Sequence, residues 1–223
     1  MKRQLIDLLK QNQTLLFITA WFFNLFNLSH KIILRKNTFV YKGSFIKNIR
    51  YRIKGQNNII IIHPETRLRN CLFYINGNNC KIEVGKHCIL ANTQFWIEDD
   101  LGSISIGCNT TFEEVHIAAT EGNSISIGND CMLSSNIQIR NGDSHTILDL
   151  NSQQRINKGK NITIGDHVWL GEGVKILKGA QIKSNSIIGT GSILSNLVVE
   201  NNCIYAGIPA KKIKENITWK RER

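Results

Sequence analysis

Proline is nearly absent, with two residues in 223, Pro64 and Pro209. No Gly/Ser/Pro-rich stretch marks a linker, so the length suits one large domain or two small ones. The six cysteines, Cys71, Cys80, Cys88, Cys108, Cys131 and Cys203, form no Cys-x-x-Cys pair. That argues against a zinc ribbon and for small core residues in a reducing compartment, hence a cytoplasmic protein. Acidic residues are scarce, with 17 Asp and Glu against 28 Lys and Arg, a formal net charge of +11. Such a balance suits nucleic acid, a membrane surface or an acidic substrate. There is no RNP-like, zinc-finger or helix-turn-helix pattern, which argues against nucleic acid. No apolar run reaches the roughly 20 residues a bilayer crossing needs. The longest is LLFITAWFFNLFNL, residues 15–28. Lys2, Arg3 and Lys10 precede it as in a signal peptide, yet the SHKIIL that follows offers no small-x-small cleavage site. A helix packed on the main body is expected. The alternative is an interfacial helix in peripheral contact with the inner membrane face.

What the chain has instead is a repeated phrase. The C-terminal third reads IGDHVW, LGEGVK, ILKGAQ, IKSNSI, IGTGSI, starting at Ile164, Leu170, Ile176, Ile182 and Ile188. An aliphatic residue opens each unit, Gly usually stands second, and a small residue stands fifth: Val168, Val174, Ala180, Ser186, Ser192. Neither a helix nor a simple alternating strand produces this period. Each unit reads as a short strand plus a turn. The opening aliphatic and the fifth residue point inward, and Gly or Asn takes positive-φ turn positions. Three units make a triangular coil, and stacked coils bury a continuous core. The phrase recurs upstream as VGKHCI from Val84, IGCNTT from Ile106 and IGNDCM from Ile127, spaced 22 and 21 residues. An ideal coil takes ~18 residues, so each of these turns carries a corner insertion. From Ile127 to Ile164 the gap is 37, two coils plus one residue.

The polar stretch NGDSHTILDLNSQQRINKGK, residues 141–160, breaks the repeat without losing its phase, and so reads as a loop thrown out from one corner. IIIIHPETRLRN and CLFYIN look like the first coils. The expected organisation is an N-terminal helical segment (1–40), a β-helix domain (41–210) carrying the loop, and a basic tail (211–223) forming a closing helix or arm.

NGDSH, IGDHVWLGEGVKILKGAQI and IYAGIPAKKI together resemble the hexapeptide-repeat acyltransferases that use acetyl-CoA, over about residues 57–214. The resemblance implies an all-β fold, a left-handed parallel β-helix, assembled as a homotrimer with active sites between subunits. Handedness rests on the resemblance alone, because the default for parallel crossovers is right-handed. DSHTILD, RIN and IGDHVWLG are most similar to bacterial capsular and surface-polysaccharide O-acetyltransferases, including those of sialic-acid capsules. In those enzymes the residues at the places of His145 and Trp169 are the catalytic pair. Gly171 and Glu172 match the start of the pantetheine site, and Thr190 sits one coil on. Lys211 and Lys214 match basic places near the nucleotide. The acceptor side departs from small-sugar relatives: FEEVHIAAT stands where they carry an asparagine, which turns attention to His116.

Acetyl transfer to a hydroxyl needs a base, donors for the oxyanion, and alignment of two substrates. An imidazole, with an ordinary pKa near ~6.5, suits the base, which points to His145. Asp143, Asp149 or Asp130 can orient it, and Asp143 can instead hold the acceptor. Trp169 offers its indole N–H or its backbone N–H to the thioester. Arg155 suits a coenzyme phosphate or an acceptor carboxylate. Competing readings are an N-acetyltransferase of a nucleotide-linked amino sugar and a non-catalytic β-helical scaffold. A zinc hydratase on this fold needs a closely spaced histidine pair that this sequence lacks, so no metal is expected.

Overall fold

The computed structural model describes residues 12–24 and 36–222. The repeats wind into a three-sided parallel prism of about seven turns, with sheets of eight, nine and seven strands. The inward columns run the length of the molecule. On the first face Ile60, Ile82, Ile104, Ile125 and Ile162 stack in register, as do Ile62, Val84, Ile106, Ile127, Ile164, Ile182 and Val199. All are buried. On the third face Phe73 and Phe95 stack with centroids 4.9 Å apart.

Val84, Ile106 and Ile127 are direct neighbours, as their spacing requires. Ile127 also pairs directly with Ile164, which corrects one expectation: the 37 residues between them form one coil with a long excursion, not two coils. Phase counting is blind to how far a chain wanders before it returns. The insertions all fall at one corner, between the third and first faces: residues 55–58, 77–80, 99–102 and 120–123, with 141–161 as the largest. The loop therefore enlarges a corner that every earlier coil already enlarges. After it the coils tighten, with Thr163 paired to Gln181 and Gln181 to Val198.

Between the first and second faces the turn is tight, and the repeat chemistry shows why. The second-position glycines do not carry the positive φ. A Cβ on Gly107 would lie 2.5 Å from the Gly128 backbone, and one on Gly128 2.6 Å from that of Gly165, so stacking forbids a side chain there. Positive φ falls on the fourth position, at Asn109, Asp130, His167 and Asn185. The fifth-position residues face inward and several donate to the next coil: Thr66 Oγ1 to Gly85 O at 2.6 Å, Cys88 Sγ to Gly107 O at 3.0 Å, Cys131 Sγ to Gly165 O at 3.2 Å. Thiol and hydroxyl interchange because both are small and both can donate.

Helix α1 (Gln13–Asn24) closes one end of the prism. Leu16 and Ala20 are buried against it. Asn24 donates to Ser44 O (2.9 Å) and accepts from Ile46 N (3.2 Å), so its amide occupies polar groups at the edge of the second sheet. The outward side carries Ile18, Trp21 and Phe22. Among the described residues no helix is long and apolar enough to cross a membrane. The first coil begins at Thr38, inside the segment expected to be helical, because Thr38–Val40 pairs with Ile59–Ile61. Lys2, Arg3, Lys10 and the end of the apolar run lie outside the described residues. The tail forms no helix among the described residues. Ala210–Lys214 pairs antiparallel with Ile204–Gly207, and the chain then runs back as an arm.

Candidate active site

The loop is an ordered hairpin. Ile156 N donates to Ile147 O and Asp149 N to Gln154 O, both at 2.9 Å. Its base is held by Asn157, only 6% exposed. The Asn157 amide accepts from Ile147 N (2.8 Å) and Arg155 Nε (3.2 Å), and donates to Asp143 Oδ2 (3.0 Å) and His145 O (2.7 Å). Sequence reasoning gave Asn157 no role, although it closes the RIN motif. Lys178, one coil beyond the loop's root, bonds to Asp143 and to Asn157 O. Glu121, from the previous coil, accepts from Gly159 N and pairs with Arg155.

His145 stands exposed at the mouth of this frame. Its N–H donates to Asp143 O at 2.7 Å across Ser144, whose φ is +64°. An i→i+2 bond with positive φ is a strained turn, and it fixes the backbone that carries the imidazole. Among the described residues the ring makes no hydrogen bond, and the three candidate orienting aspartates are all engaged elsewhere. Asp143 is taken by Lys178 and Asn157, which hold its carboxyl below the usual range. Asp149 caps the turn at Asn151 and Ser152. Asp130 binds His167 and Arg221 at another corner.

Trp169 opens a strand of the second face, after the tight corner, and is 36% exposed. Its backbone N–H is committed to Ser186 O (3.0 Å), which removes one of the two donors expected of it and leaves the indole. The C-terminal arm packs beside it. Trp219 stacks on His167 with centroids 4.1 Å apart and lies 6.1 Å from Trp169. His167 Nδ1 faces Asp130 (2.7 Å), and Nε2 faces Trp219 O (3.0 Å). Arg221 reaches Asp130, Thr111 and two backbone carbonyls. None of these contacts was legible beforehand, because the arm returns from 52 residues away in sequence.

The residues matched to the coenzyme site come together in part. A Cβ on Gly171 would lie 2.8 Å from Thr190 N, so the two are in direct coil-to-coil contact. Glu172 accepts from Gly191 N through its carbonyl and keeps its side chain exposed. Lys211 and Lys214 sit on the final strand. Lys212 between them takes Glu200 and Glu215, leaving the other two without an ion pair among the described residues. Arg155 is already paired with Glu121. No group of three or more His, Cys, Asp or Glu that could hold a metal occurs among the described residues.

His116 lies on the outer side of the third face, half-buried, below the loop's root. It meets Trp96 edge-on at 5.7 Å. Burial first, and Arg140 second, lower its pKa from the ordinary imidazole value and so favour the neutral ring.

Comparison with known proteins places these features in a family. Residues 161–196 match the bacterial transferase hexapeptide (six repeats) model. A polysialic acid O-acetyltransferase of Neisseria meningitidis is 36% identical over 193 residues, covering 77% of this chain and 90% of that protein. The crystal structure of the polysialic acid O-acetyltransferase OatWY superposes with a TM-score of 0.66 at 35% identity, over 84% of this chain and 89% of that one. The polySia-specific acetyltransferase NeuO gives 0.60 at 27% identity, over 84% and 90%. The match identifies the winding as left-handed, which strand pairing alone leaves open.

Proposed function

The chain belongs to the bacterial hexapeptide-repeat acetyltransferases that include the polysialic acid O-acetyltransferases, and from that premise we propose that it transfers an acetyl group from acetyl-CoA to a hydroxyl of an acidic capsular polysaccharide, with His145 as general base. It is an O-acetyltransferase of a bacterial surface polysaccharide. The reading of the site is carried by one observation. His145 has its backbone pinned on both sides, by Asp143 O and by Asn157, while its imidazole makes no hydrogen bond among the described residues.

His145 takes the acceptor's hydroxyl proton as the oxygen attacks the thioester carbonyl, and returns that proton to the departing sulfur. The indole N–H of Trp169 is the donor assigned to the thioester side. Gly171 and Thr190 provide the close coil-to-coil surface for the pantetheine arm, with Glu172 at its edge. Lys211 and Lys214 are assigned to the phosphates, where point charges suffice. Arg155 is assigned to bracing the loop rather than to a ligand, because its guanidinium is already engaged.

The geometry also supports a trimer with shared sites. The His145 loop leaves the corner between the third and first faces, whereas Trp169 follows the next corner. The first-face strand Ile162–Ile164 lies between them, about 10 Å of sheet at ~3.3 Å per residue. Another subunit is therefore the source proposed for the missing half of each site. His145→Ala is expected to lower kcat/KM for acetyl transfer about 10²–10⁴-fold with the assembly intact by size-exclusion chromatography. Full activity in that variant would sink the mechanism.

A further inference from the structure

The outer side of the third face carries a column that changes character abruptly. Tyr74, Trp96, Ala118 and Arg140 lie in register on successive coils. Tyr74 and Trp96 stack at 4.0 Å. Then Ala118, 8% exposed, puts a methyl group where its neighbours present a ring and a guanidinium. The gap is a pocket of about 160 Å³, walled by Trp96, Glu98, His116 and Arg140 and reaching Ser144 at its rim. Ser144 adjoins His145 in the chain. The volume is well below the ~300–1,000 Å³ of drug-sized sites and suits a single ring.

The walls have complementary chemistries. Trp96 offers an aromatic surface for the apolar side of a sugar. Glu98 accepts from hydroxyls. Arg140 is a permanent cation with a forked donor set, and it forms no ion pair among the described residues although Glu98 lines the same pocket. Burial and Arg140 lower the pKa of His116 and so disfavour a second cation there. A guanidinium that forms no ion pair among the described residues, beside an aromatic wall, favours an anionic ring over a neutral one.

We propose that this pocket is an acceptor subsite for a carboxylate-bearing sugar ring, with the carboxylate on the Arg140 fork and the ring against Trp96, so that the glycan chain is delivered to the His145 loop. This rests on the reading of the enzyme as acting on an acidic glycan and adds which residues select for the acid. Arg140 and Trp96 are specificity residues, and Ala118 is the opening that admits the ring.

The test compares wild type, Arg140→Gln and Ala118→Leu as full-length protein. Polysialic acid and the same polymer with its carboxyls reduced serve as acceptors. Binding of a short sialic acid oligomer is titrated separately, without acetyl-CoA. Arg140→Gln is expected to raise KM for polysialic acid about 10- to 100-fold, the loss of one charged hydrogen-bonded contact, with little change in kcat and none in KM for acetyl-CoA. On the carboxyl-reduced polymer the two proteins should be alike. Ala118→Leu should weaken both acceptors by filling the pocket. Wild-type oligomer affinity in Arg140→Gln, or no preference of the wild type for the acidic polymer, overturns the proposal. Should the wild type acetylate no glycan while Arg140→Gln still weakens oligomer binding, the reaction assignment fails and the subsite stands.

Discussion

Asn157 uses every hydrogen-bonding position of its amide to hold the two strands of the loop and the backbone of His145. Removing that amide deletes four hydrogen bonds to half-buried partners, each worth about 0.5–1.5 kcal/mol, a loss that falls on the loop and not on the coils. Asn157→Ala is therefore expected to speed amide exchange across residues 143–157 and lower kcat/KM, with the thermal midpoint of the prism nearly unchanged. Undisturbed exchange and full activity would remove Asn157 from the site. The cysteines show the opposite balance between legibility and role. Their places in the repeat marked them as small core residues, and five of the six are buried. Burial pushes the Cys88 thiol up to about 11 and Cys131 up to about 12. They remain thiols and serve as donors across coils. Asn157 was harder to read because its value lies in four partners that converge only when the loop closes.

The loop is an element with its own electrostatic fastening. In Glu121 the N–H of Gly159 lowers the carboxyl pKa below 4.5, burial opposes this, and Arg155 adds to the lowering. A carboxyl depressed in the folded state stabilises fully above its ordinary pKa, and that contribution is lost as pH falls through the folded value. Asp143, held down first by Lys178, has the same sign. The loop should thus loosen on acidification below about 4.5 while the coils stay formed. Gly159 amide exchange is the measurement, and Glu121→Gln should show the loosened loop already at neutral pH. Equal protection of Gly159 in both proteins and at both pH values would contradict the fastening. The loop's position and polarity were readable from residues 141–160. Its hairpin was not, because the Leu148–Arg155 bridge joins residues with no strand pattern. The C-terminal arm was read as basic, while its docking through Trp219 and Arg221 depends on a corner built elsewhere in the chain.

At the scale of the molecule, a first-face strand stands between the His145 loop and Trp169, and on the proposal above each chain supplies half a site. Mixing His145→Ala with Trp169→Ala subunits should regenerate active interfaces that neither variant has alone. Acetyl transfer by the mixed assembly, above that of the two separate preparations, is the expected result. A mixture no better than its components would place both residues in one protomer. The coil, the core columns and the corner from which the loop departs were all legible in the residues alone, because the repeat writes each inward position into a local period that burial then enforces. The sequence also set His145 apart as a lone histidine in a polar break, although only the family resemblance gave that histidine an expected role. It took the folded chain to reveal that residues 127–164 are a single coil, that Asp143, Asp149 and Asp130 serve other partners, and that a pocket opens at Ala118 beside Arg140. Those outcomes depend on which outward and loop side chains meet across adjacent coils, and outside the repeated phrase no local period marks such partners.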